Sequence, residues 1–239
     1  MPAARVTSPT IILALMRSAI LAAFVVTLAA PAAAQLEGLT QREALAGLQT
    51  ALERGARSAV ATLGQFDGFL GNPHVRIPLP DSLARTERLA RRLGLGAEAD
   101  ELVVAMNRAA EAAMPEARTL LVDAVKKMGI QDAKAILTGG DTAATQYFRK
   151  TSHAALHERF LPVVKAATEK VGVAQRYREL AQPAAAFGLV KAEAADLDEY
   201  VTLKALDGLY FMLGEEEKKI RKDPVGTGSA ILRRVFGAL

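Results

Sequence analysis

The chain has 239 residues, 51% of them hydrophobic, with no cysteine, no tryptophan, three histidines, and 30 basic against 26 acidic side chains. That composition excludes a disulfide scaffold, a cysteine nucleophile, a cysteine-ligated zinc site and a disordered polar chain. It also argues against nucleic acid as a partner, because opposite charges alternate along the helical segments and form no one-signed stripe.

The first 34 residues read as a secretory signal peptide. Arg5 and Arg17 are its only charges, Ser18 to Ala30 is nonpolar apart from Ser18 and Thr27, and Ala32, Ala33 and Ala34 supply the small residues of a cleavage site before Gln35. The apolar part is shorter than the roughly 20 residues that a spanning helix needs. An uncleaved anchor beginning at Thr10 is the alternative, with Arg17 inside it, and no cysteine follows for lipid attachment. Setting aside Arg5 and Arg17 leaves 28 basic and 26 acidic groups, a net of +2, on the 205 residues that remain. The expected organisation is a signal over residues 1–34 and one domain over residues 35–239, periplasmic, with no transmembrane segment in the mature chain. In an oxidising compartment, a chain without cysteine must be held by its core, and 205 residues suffice for one.

Apolar residues recur at helical spacing almost throughout, and alternating strand patterns are nearly absent, so the mature chain is expected to be all-α: a compact multi-helix bundle. Thr40 and Glu43 read as a capping box opening a helix whose stripe is Leu45, Leu48, Leu52, Ala56, Val60 and Leu63, stopped at Gly64. Asp81 caps a short helix carrying Leu83, Leu89 and Leu93. The next stretch runs from about Glu98 to Met128, with Leu102, Met106, Ala109 and Ala113 on one face; Pro115 must kink it or start a fresh helix. A short helix near Asp132 to Leu137 precedes Gly139-Gly140-Asp141, where Asp141 reads as the N-cap of helices over about 142–150 and 152–171, either separate or joined. A brief helix around Ala174, a weak segment over residues 182–189, a long helix from about Asp196 to Lys222 and a last one capped by Ser229 complete the reading.

Between the first two helices, residues 65–80 carry no helical pattern. They hold Phe66, Phe69, Leu70, Val75, Ile77 and Leu79 among Gly68, Gly71, Pro73, Pro78 and Pro80. A loop that long and that apolar packs, and the residues before the prolines are pushed toward extended conformations. An extended strap across the helices is expected, either closing the core or covering a ligand.

The words Asp67-Gly68-Phe69-Leu70-Gly71-Asn72-Pro73, Arg76-Ile77-Pro78-Leu79-Pro80, Asn107-Arg108-Ala109-Ala110-Glu111, Leu137-Thr138-Gly139-Gly140-Asp141, Gln146-Tyr147-Phe148 and Lys204-Ala205-Leu206-Asp207-Gly208-Leu209 stand in fixed order over the mature chain. In these the sequence resembles the bacterial family known as domain of unknown function 4197. The resemblance implies an exported helical protein and carries over no catalytic residue.

Other features have ordinary readings beside functional ones. The glycines before Asp141 expose helix-start amides suited to an anion, but Asp141 is itself placed to take them, and the lysine and spacing of a phosphate loop are missing. His153 and His157 have the four-residue spacing of a metal pair without an evident third ligand, so packing is the default; His74 stands alone. Asn107, Arg108 and Glu111 interrupt an alanine-rich helix, and Arg108 with Glu111 reads as a solvated ion pair. The run Glu215 to Lys222 pairs acids with bases three or four residues on. On the last long helix, Leu206, Leu209, Leu213 and Ile220 mark the core side, while Tyr200 and Phe211 lie on a polar face with Lys204 and Asp207. That placement means either burial on two sides or contact with a ligand or partner.

No nucleophile, base and orienting acid form a recognisable signature, and no metal or cofactor is expected. The reading is a non-catalytic periplasmic protein holding a small or lipid-like ligand, or an envelope partner, in an interhelical groove. Its expected lining is Phe69, Asn72, Tyr147, Arg149, Tyr200, Lys204 and Asp207. The rivals are a carboxylate-dependent enzyme, such as a hydrolase, using Asp67, Glu111, Asp141 or Asp207, and an envelope interaction module with a broad apolar patch in place of a pocket.

Overall fold

The computed structural model describes residues 41–92, 94, 96–177 and 197–223, all within the compact unit Leu39–Leu239. Six helices follow one another: α1 (Gln41–Gly64), α2 (Asp81–Arg92), α3 (Gly96–Lys126), α4 (Ile130–Leu137), α5 (Ala143–Lys170) and α6 (Leu197–Lys222). Residues 173–177 make a further helical turn, and no strand occurs among the described residues. The protein is all-α. The signal segment, the Thr40 cap, the weak segment over residues 182–189 and the helix at Ser229 lie outside the described residues.

α3 is the hub, packed against α1, α2, α5 and α6. Its alanines explain how: Ala105, Ala109, Ala110, Ala113 and Ala117 are all buried, and side chains this small let several helices approach one axis. It runs unbroken through Pro115, which sits at an exposed position. Pro115 lacks the amide proton that the Glu111 carbonyl would receive, and the helix tolerates this without a second start. At its C-terminal end, the Gln49 side-chain amide of α1 donates to the carbonyls of Val125 (3.1 Å), which also accepts the Met128 N–H, and of Met128 (3.4 Å), tying α1 to the end of α3.

α5 is one helix, the joined form of the two segments read from the sequence, and its start differs from the expected cap. The N-cap position is Thr142, and Asp141 is exposed in the field of Lys218. The first amides are taken from across the bundle. Glu217 of α6, buried, accepts N–H bonds from Ala144 and Thr145, each at 2.9 Å, and the Thr145 hydroxyl at 2.9 Å. Arg221 holds the same carboxylate at 2.8 Å and donates to the Ile136 carbonyl of α4. One acid on α6 thus fixes α5, and its arginine ties in α4. A local aspartate fixes one helix start, whereas a distant glutamate also fixes the relation of two helices.

Residues 65–80 form linked turns followed by chain without regular secondary structure. Gly68 N–H bonds the Gln65 carbonyl and Gly71 N–H the Asp67 carbonyl, each at 3.0 Å, and Arg76 N–H the Asn72 carbonyl at 2.9 Å. Phe69, Val75, Ile77 and Leu79 are buried, Ile77 bonded to Asn107 of α3 and Phe69 and Val75 set against Gly208 of α6. Burial of a side chain as large as Phe69 stabilises the fold by roughly 1.5–3 kcal/mol. Its ring lies against Gly208 of α6, where an added Cβ would stand 2.6 Å from a ring carbon and 3.3 Å from the Val75 Cβ. Close approach of ring to backbone is what requires glycine there.

Candidate functional site

Two polar residues one turn apart on α3 tie down the segment after α1. Asn107, fully buried, accepts the Ile77 N–H at 2.8 Å and donates to the Ile77 carbonyl at 2.9 Å and the Val103 carbonyl at 2.8 Å. Its amide thus satisfies both backbone groups of Ile77, as a neighbouring strand would. Glu111, also buried, accepts the amides of Phe69 (3.1 Å) and Leu70 (3.2 Å) through one oxygen and Arg108 (2.6 Å) through the other. The solvated ion pair expected from sequence is therefore incorrect for Glu111. The turn after α1 folds over α3 at this point, so Glu111 is shielded from water although Val104 and Pro115 on the same side of the helix are exposed.

Arg108 also binds Asp67 at 2.6 Å, and its guanidinium lies 3.7 Å from the centroid of the Phe66 ring. Burial works against its charge, and the bonds to Glu111 and Asp67 more than offset this, holding its pKa above the ordinary value. Asp67 has φ 63°, a left-handed conformation that aspartate tolerates better than most residues. The turn is therefore fixed from several directions, yet it presents Phe66 with 78% of its surface exposed.

Beside this turn, α1 and α3 leave an open groove of about 660 Å³. Val60, Ala61, Gly64 and Pro115 supply its apolar surface. Its polar groups are Gln65, Arg57 and Arg118. The two arginines differ. Arg57 is bonded through two nitrogens to Glu53 on its own helix, whereas Arg118 has no ion-pair partner among the described residues. The sequence reading missed all seven residues.

The residues singled out from sequence are distributed differently. Phe69 lies in the core, which leaves it no surface to offer. Asn72 shapes its own turn, accepting the His74 N–H at 3.1 Å, and its amide reaches the Met212 sulfur at 3.8 Å. Tyr200 donates to the Pro78 carbonyl at 3.0 Å, with the Lys204 ammonium 5.8 Å from its ring centroid. Phe211 stacks on His74 at 5.5 Å. The aromatics on the polar face of α6 thus meet the segment after α1. Arg149 and Asp207 pair at 3.5 Å across the α5–α6 seam, with Arg149 over the Tyr210 ring at 4.6 Å. Tyr147 stands apart, its hydroxyl donating to the Ala124 carbonyl near the end of α3 (3.4 Å); burial first and Asp132 second raise its pKa.

The histidines separate as well. His157 bonds both oxygens of Glu199, at 2.9 and 3.0 Å, joining α5 to α6, and His153 lies 5.9 Å from the Tyr210 ring. No group of three metal-ligating side chains occurs among the described residues. Of the carboxylates open to an enzymatic role, Asp67 and Glu111 meet only on Arg108, Asp207 is paired with Arg149, and Asp141 is exposed.

Tyr210 is 1% exposed and its hydroxyl has no hydrogen-bond partner within bonding geometry among the described residues; the Ser152 hydroxyl beside it donates to the Phe148 carbonyl at 2.6 Å. Burial raises its pKa, opposed by Ser152 and Arg149. Tyr210→Phe is expected to leave stability unchanged or raise it by up to about 1 kcal/mol, since it removes an unsatisfied polar group. A phenol whose folded pKa is raised contributes stability that is present below its unfolded pKa of about 10 and lost as pH rises through the folded value. Urea midpoints of wild type should therefore fall above about pH 10, and less steeply in the variant. A loss above about 1.5 kcal/mol at neutral pH would mean that the hydroxyl is bonded after all.

Residues 38–237 match the family described as protein of unknown function (DUF4197), and the chain belongs to that family. No curated protein matches it. No solved structure matches it either.

Proposed function

We propose that this DUF4197 protein is an exported, periplasmic, non-catalytic binding protein whose ligand lies in the groove between α1 and α3. The observation that carries the reading is the groove itself: about 660 Å³, within the range of small-molecule sites, with an apolar surface and polar groups from both helices. Its walls are two long helices that the core holds in place, so the site is formed before the ligand arrives. The paired or exposed state of Asp67, Glu111, Asp141 and Asp207 weighs against the carboxylate-dependent alternative, which needs two of them free in one cleft. Among the described residues no helix is long and apolar enough to cross a membrane.

Ala61 is exposed on α1 at the groove, so Ala61→Trp fills the space without entering the core. Native mass spectrometry of the wild-type protein should find a retained small molecule, or a panel of lipids and metabolites should raise its Tm. Ala61→Trp should lose that retention or shift while keeping its helical circular dichroism. A wild-type protein that retains nothing and answers no compound, or a filled groove that binds as before, refutes the site.

A further inference from the structure

The groove is asymmetric in charge. Two arginines line it, but the Arg57 guanidinium is engaged through Nε and Nη2 by Glu53 four residues earlier, the favourable helical order, and its charge is offset in place. Arg118 is exposed, lines the same groove and carries the uncompensated charge. Gln65 adds one neutral amide. The rest of the lining is aliphatic and small, Val60, Ala61, Gly64 and Pro115, with no aromatic plate on which a flat ring would stack. Beyond Gln65 the chain continues into the exposed Phe66 ring, held over Arg108.

From this, and resting on the groove as the binding site, we infer that the ligand is a linear amphiphile with a single anionic head. The head pairs with Arg118, and the aliphatic tail lies on Val60, Ala61, Gly64 and Pro115. One free guanidinium matches one carboxylate in a bidentate pair. A nucleotide or other multiply charged phosphate would leave negative charge unmatched, and a sugar would leave most of its hydroxyls without partners.

Calorimetric titration of the purified protein with tetradecanoate and with tetradecyltrimethylammonium, both below their critical micelle concentrations, isolates the head group at constant tail. The carboxylate should bind at least tenfold more tightly than the ammonium, and Arg118→Ala should weaken it about tenfold or more, with Arg118→Lys recovering part. Arg118 has no ion-pair partner among the described residues, so its removal leaves the fold intact, as circular dichroism will verify. Equal affinity for the two heads, or no effect of Arg118→Ala, overturns the inference. If tetradecanoate fails but a neutral compound binds and Ala61→Trp abolishes that binding, the groove stands and the anionic amphiphile falls. If nothing binds, both fall.

Discussion

Glu111→Ala should destabilise the protein by about 3–5 kcal/mol, the cost of removing one partner from a buried charged pair. The variant leaves the Phe69 and Leu70 amides without their acceptor and takes from Arg108 the deeper of its two carboxylates. Each lost partner matters because water cannot replace it in a site where Glu111 is 5% exposed. Glu111→Gln keeps an oxygen for the amides and loses only the charge, so it should fall between wild type and alanine. Urea denaturation with a shared slope measures both. The outcome also discriminates two views of this residue. A solvated helical ion pair would cost below about 1 kcal/mol on truncation, and a loss that small would remove Glu111 as the anchor of the turn carrying Phe66.

Helix number and order follow from the apolar period because burial of one face is what each helix does. Pattern says less where a distant segment folds over a helix's outward face. α3 illustrates this: Glu111 lies opposite Leu102 and Met106, which on a surface helix means water. The segment after α1 folds over that side at Glu111 and gives it the Phe69 and Leu70 amides, while Val104, Pro115 and Arg118 on the same side stay exposed.

Glu217 is the opposite case. It stands four residues after Leu213 and three before Ile220, on the core stripe itself, and is buried there, while Glu215 and Glu216 pair with Lys218 and Lys219 at the surface. Its register was legible from spacing, but membership of an acidic run concealed it. What no local pattern supplies is the partner. The amides that Glu217 accepts are 73 and 72 residues away, and those of Glu111 are 42 and 41 away. The groove is hidden for the same reason, since its lining joins Arg57 to Arg118 across an interface that neither helix encodes alone.

Gly68→Ala should be at least as damaging, at roughly 3 kcal/mol or more, beyond the usual ~1–3 kcal/mol of overpacking. A Cβ at Gly68 would stand 2.5 Å from the Leu63 carbonyl oxygen and 2.8 Å from its carbon, and would also meet the Thr62 carbonyl oxygen. These are main-chain atoms of the last turn of α1, so no side-chain rotation relieves the overlap. Either the helix end unwinds or the turn moves off α3, and the second course breaks the Glu111 bonds to Phe69 and Leu70. Gly140→Ala is the matched control. Nothing lies within 4 Å of its Cβ position, so alanine should be neutral or stabilise by up to about 1 kcal/mol through the unfolded chain. Thermal and urea melts of the two variants should therefore move in opposite directions or differ by at least about 3 kcal/mol. Similar stability in both would mean that the turn yields to a methyl group, and that Phe66 is not held rigidly beside the groove.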